Sequence, residues 1–300
     1  MGIWTLALPA ALVVCVSVLA LIVAGRTLMP SLAPTEGTKP AEASALARVR
    51  GRTVAWRLVG LGVGIAAATA LTTVPPESLG LGVALAPPTF ALCLLCGVIV
   101  GEVFVRPPVG MTRTASIEVR SARAFLPRSM LWWVGGTGFV LFGFLLVTTV
   151  LAVPDDMGRA GRAIAVRCSP DVVAAAGPWP GLYYSLPIGG AVLLGLAVAT
   201  LAARVVAGRP RPQVEESGRN VDDQLRRASG HTIVAAVGVL VAAPLAGSAA
   251  FAGTALETVG CGSTALRVAG LASIGLAIVA TIAAAGFAAA VLLPADRAER

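Results

Sequence analysis

Charge is scarce in this 300-residue chain: only 13% of its residues are Asp, Glu, Lys or Arg, against roughly 25% in soluble domains. Lys39 is the only lysine, against 22 arginines, and His231 is the only histidine. Each shortage removes a chemistry. Lys39 lies outside the apolar stretches, so no intramembrane amine is offered for a retinal Schiff base. One histidine cannot furnish a His-rich zinc site or the paired axial ligands of a membrane haem. No G-x-x-x-x-G-K-[ST] phosphate loop occurs, which excludes ATP hydrolysis by that route. The sequence assigns no cofactor, no metal and no catalytic residue. An enzymatic role is the least expected reading, because no His, Asp and Glu converge in the pattern.

Apolar surface takes the place of charge. Hydrophobic residues make up 57% of the chain, and the mean hydropathy is +0.86. This excess excludes a water-soluble enzyme, a nucleic-acid-binding domain and a disordered regulator. It is concentrated at 3–24, 56–74, 79–105, 130–153, 184–206, 231–251 and 268–293. Each stretch is long enough to cross a hydrocarbon core of about 30 Å. The expected fold is all-α: a polytopic bundle of seven transmembrane helices forming one integral membrane domain over 1–300. The first stretch reads as an uncleaved anchor, since no basic residue precedes it and Arg26 follows it.

Basic residues set the expected orientation. Nineteen of the 23 fall with the segments after the first, third and fifth spans and with the C-terminal tail; Arg57 is counted there with the first inner loop. The other side holds Arg159, Arg162, Arg167 and Arg267. Positive residues stay on the cytoplasmic side, so the N-terminus is expected outside and the C-terminus inside. Trp4, Trp56, Trp132, Trp133, Trp179, Tyr183 and Tyr184 stand at or near the span ends, as an aromatic belt requires. The region from Ala41 into the second span reads as helical. Arg209–Pro212 reads as extended, Val221–Arg227 as a short surface helix, and Thr114–Val119 as either a strand or an interfacial helix.

Small residues recur every fourth position at Gly60, Gly64 and Ala68, at Ala191, Gly195 and Ala199, and at Gly238, Ala242 and Ala246. Such faces let helix backbones approach closely, and packing within the bundle is the expected use. Glu102 is read as the one ionisable residue inside a span and as the candidate intramembrane polar site. An ion pair with Arg106 is its expected structural alternative. Pro87 and Pro88 are a candidate helix break, or else the helix starts at Pro88 behind an outer ledge. Cys93 and Cys96 lie mid-span and read as packing residues. Asp155 and Asp156 read as a helix-end turn rather than a metal site. The expected topology places Cys168 and Cys261, and no other cysteine, in extracytoplasmic loops, so a Cys168–Cys261 disulfide is expected.

At Gly101-Glu102, Arg113-Thr114-Ala115-Ser116, Leu126-Pro127-Arg128 and Asp223-Gln224-Leu225-Arg226-Arg227-Ala228-Ser229, the chain resembles an uncharacterised multipass membrane protein group of high-GC bacteria. The resemblance implies a location and a topology; it carries no activity and no residue role. The expected setting is the cell membrane, with the lipid bilayer as first partner and no nucleic acid. Two functions stand open. One is the membrane component of a transport or export system, working with a cytoplasmic ATPase or other partner docked on the Arg-rich inner loops. The alternative is a non-transporting scaffold or sensor with a disulfide-tied outer face.

Overall fold

The computed structural model describes residues 40–73, 79–103, 126–207, 216–259 and 263–292. They form helices α1 (Pro40–Thr72), α2 (Leu81–Val103) and α3 (Arg128–Val150), a hairpin of β1 (Ile164–Ser169) and β2 (Val172–Ala176), then α4 (Leu182–Ala207), α5 (Glu216–Thr258) and α6 (Thr264–Leu292). All six helices contain a segment long and apolar enough to cross a membrane. They match the second to seventh expected spans. The first, 3–24, lies outside the described residues, as do Arg106, Thr114–Val119, Arg209–Pro212 and Cys261.

α5 is the axis of the bundle. Within its apolar segment 72% of residues are buried, against 17% for α3 and for α6, and it packs on α2, α3, α4 and α6. Val239, Leu240, Val241 and Ala242 are all sealed inside. The outward faces of α3 and α6 carry Phe139, Leu146, Val279 and Ile282 exposed. Lipid gives apolar helices no hydrophobic drive to associate, so close van der Waals fit must hold them. The small-residue faces provide that fit. A side chain at Gly97 would stand 2.7 Å from the Gly60 Cα and 2.6 Å from the Trp56 carbonyl oxygen, so α1 and α2 touch backbone to backbone. Gly195 faces Leu240, and Gly238 faces the Phe287 ring.

Three expectations change. α5 is one helix of 43 residues, about 65 Å at 1.5 Å per residue; Val221–Arg227 lies within it, leading into the apolar segment that begins at Arg226, instead of forming a separate helix. α2 runs unbroken from Leu81 through Pro87 and Pro88, so there is neither a break nor a late start at Pro88. Proline removes amide donors to the carbonyls four residues back, here those of Val83 and Ala84. The loss falls in the first turns, where the Ala84 amide already donates to the Gly80 carbonyl at 3.1 Å. Third, the loop after α3 holds a hairpin that was not expected. Its strands pair antiparallel, with Ile164 opposite Ala176 and Ser169 opposite Val172 around Pro170-Asp171. Ile164 and Trp179 pack on Ala252, Ala255, Leu256 and Val259 at the end of α5.

Candidate functional site

Glu102 is buried, at 4% exposure, and the α1–α2 crossing explains its position. The helices run antiparallel with Gly60 against Gly97. Three residues back along α1 and five forward along α2 therefore reach the same level. Arg57 meets Glu102 there: its Nη2 donates to Oε1 at 3.1 Å. From α5, the Ser229 hydroxyl donates to Oε2 at 2.5 Å. Arg57 Nη1 donates to the Val291 carbonyl in the last turn of α6 at 3.1 Å. Four helices thus meet on one carboxylate–guanidinium pair, with the buried Arg57 Nε lacking a partner. His231, two residues along α5 from Ser229, lies within electrostatic reach of Arg57.

The end of α4 on this same face is closed in a related way. Arg226 is buried and donates from Nη1 to the Ala207 carbonyl at 3.0 Å and the Val206 carbonyl at 3.4 Å. The last four carbonyls of a helix have no internal partner, and a cation there also complements the helix dipole. Arginines reaching in from neighbouring helices therefore cap both α4 and α6.

A second polar network sits at the opposite end, beside the hairpin. Arg162 Nη1 pairs with Asp155 Oδ2, while Asp155 Oδ1 accepts from the amides of Arg159 at 2.8 Å and Met157 at 3.1 Å. Arg162 Nη2 and the Tyr184 hydroxyl both reach the Leu79 carbonyl, at 3.3 and 2.6 Å. The Arg162 guanidinium also lies 5.2 Å from the centroid of the Tyr183 ring, within cation–π range. Desolvation alone would raise the Asp155 carboxyl, but the Arg159 and Met157 amides and the Arg162 and Arg159 guanidiniums overcome it and hold Asp155 below the ordinary carboxylate range. Desolvation acts to lower Arg162, yet its bond to Tyr184 and its pairing with Asp155 raise it above the usual arginine value. Gly161, at φ 72°, makes the network possible: a side chain there would stand 2.7 Å from the Leu182 amide nitrogen.

The structure therefore relocates several sequence candidates. Glu102 is not alone among ionisable groups in the spans: Arg57 stands in the same apolar layer, and Arg204, Arg226 and His231 also fall within apolar segments. The partner found for Glu102 is Arg57, while Arg106 lies outside the described residues. Asp155 anchors a turn, as read from the sequence; Asp156 is exposed. Cys93 and Cys96 are free thiols, and Cys96 faces outward rather than packing. Trp132 and Trp133 are exposed as belt residues should be, but Trp179 is buried, its indole N–H donating to the Thr148 carbonyl at 2.7 Å. Ser229, a lone serine, carries no sequence signal. Arg57 reads from sequence as loop charge, and the Gly60 spacing one turn away is the available clue. Comparison with family models, with curated proteins and with solved structures finds no match.

Proposed function

We propose that this chain is a multi-pass protein of the cell membrane and the membrane component of a transport or export system. One observation carries the reading: Glu102, Arg57 and Ser229 form a buried polar junction between apolar helices. Ionisable groups at membrane depth are costly and, when kept, mark ion or substrate pathways by default. The junction fits a latch at one end of the bundle, closed here, whose opening lets α1 and α6 move against α2 and α5.

Topology belongs to the same proposal. With 3–24 as a further span, the chain has seven, its N-terminus is outside, and the junction faces the cytoplasm beside the Arg-rich loops that dock an ATPase or other partner. The hairpin then faces outward, where Cys168 and Cys261 bond. One observation supports the bond: Ile164 of the hairpin shares a buried apolar cluster with Val259, two residues before Cys261, which itself lies outside the described residues. The scaffold or sensor reading has its own support in the outer network, where Arg162 and Trp179, flanking the hairpin, tie it to Tyr184 of α4, Thr148 of α3 and Leu79 just ahead of α2.

Thr232 distinguishes the two. It is buried one turn beyond Ser229 on α5. In inverted membrane vesicles, with Cys93 and Cys96 replaced, T232C should react with a membrane-impermeant maleimide over minutes, and at least about tenfold faster when R57A weakens the latch by 1.4 kcal/mol or more. A thiol inert for hours in both backgrounds would mean a junction that never opens, leaving the scaffold reading.

A further inference from the structure

We propose that Ser248 and the carbonyls of Val83 and Ala84 hold a single buried water, which stands in for the helix hydrogen bonds that Pro87 and Pro88 remove. Ser248 lies on α5 and is 3% exposed, and its hydroxyl oxygen has no partner. It lines a cavity of about 20 Å³ bounded also by Val83, Ala84 and Pro87 of α2 and by Trp179 and Tyr184. That volume holds about one water, since a site needs roughly 10–15 Å³. α2 and α5 touch there, because a side chain at Gly247 would stand 3.4 Å from the Pro87 ring.

The donor balance selects the ligand. Pro87 and Pro88 carry no N–H, so the Val83 and Ala84 carbonyls lose their donors four residues on. The lining's other side-chain donors are engaged: the Trp179 N–H with Thr148 and the Tyr184 hydroxyl with Leu79. The proposed ligand set is therefore the Val83 and Ala84 carbonyls and the Ser248 hydroxyl, on residues that line the cavity together. Water matches this set by donating twice and accepting from Ser248, and serines or ordered waters are the recognised means by which proline is tolerated in membrane helices. A cation is disfavoured, because no carboxylate lines the cavity and three neutral oxygens fall short of the six or more that a hard cation takes. The proposal does not depend on the transport reading.

The test is thermal unfolding of the full chain in lipid nanodiscs. S248A should lower the midpoint by about 3–6 °C. In the P87A/P88A background, where amides restore the ladder, the same substitution should cost less than about a third of that. A neutral S248A, or an equal cost in both backgrounds, would overturn the proposal. So would a midpoint that rises with sodium but not with choline, which would assign a cation. If P87A/P88A does not fold, pulsed radiolytic footprinting decides. Trp179, 3% exposed, should still be oxidised by radicals from the adjacent water, and an unmodified Trp179 would refute the site.

Discussion

Arg57 and Glu102 stand 45 positions apart in the chain, yet their side chains meet at 3.1 Å inside the helix bundle. Removing one partner of a buried pair strands the other charge, which costs about 3–5 kcal/mol, whereas replacing both by apolar residues is often close to neutral. E102A and R57A should each destabilise the protein by that amount in detergent or nanodiscs. R57L/E102L should cost less than either single change. Additive costs on thermal unfolding would show that the two residues do not act as a pair.

The pair also shows how far the sequence was legible. Apolar runs locate the six described helices because hydropathy over about 20 residues is a physical requirement for crossing lipid. Glu102 stood out for the same reason inverted. Its partner did not, because an arginine at the start of an apolar run reads equally as loop charge, and only the register of Gly60 on Gly97 decides. The hairpin was hidden for another reason. Its strands have six and five residues and lack a clean inside–outside alternation, since one edge packs on α5 and the rest is exposed. Pro87 and Pro88 read as a break because proline usually ends helices in water; neighbouring helices changed that outcome here.

Gly97 should tolerate no side chain. A Cβ there would lie 2.7 Å from the Gly60 Cα, backbone against backbone, so α1 and α2 must separate and pull Arg57 from Glu102. G97A should cost about 1–3 kcal/mol, the usual range for overpacking. Gly62, on the open side of α1 with nothing within 4 Å, is the control. G62A should be neutral or stabilising by up to about 1 kcal/mol, since alanine is the better helix former. Equal melting temperatures for the two variants would remove the close crossing.

Acid should weaken the hairpin end through Asp155. Its carboxyl is held below the ordinary range when folded, so the unfolded chain binds the proton first as pH falls. The stabilisation is complete above the unfolded value of about 3.9 and is lost as pH drops through the folded value. The melting difference between wild type and D155N should therefore be flat from pH 5 to 7 and shrink below pH 4. A difference that grows on acidification would contradict the depressed carboxyl.

The outer face gives the sharpest check on orientation. In intact cells, a cysteine at Ser169, beside Cys168 on the hairpin, should react with an impermeant maleimide once Cys168 and Cys261 are replaced. Cysteines at Ser116 and Ser217 should react only after lysis. Before replacement, Cys168 and Cys261 should appear as one disulfide-linked peptide in non-reducing mass spectrometry and separate on reduction. Such a bond would close a long loop, worth roughly 4–5 kcal/mol in a soluble chain and less where the bilayer already restrains the unfolded state. C168S/C261S should therefore unfold at lower temperature, with the loss confined to oxidising conditions. Two alkylatable thiols without reductant would rule out the bond, and labelling at Ser116 in unlysed cells would reverse the topology.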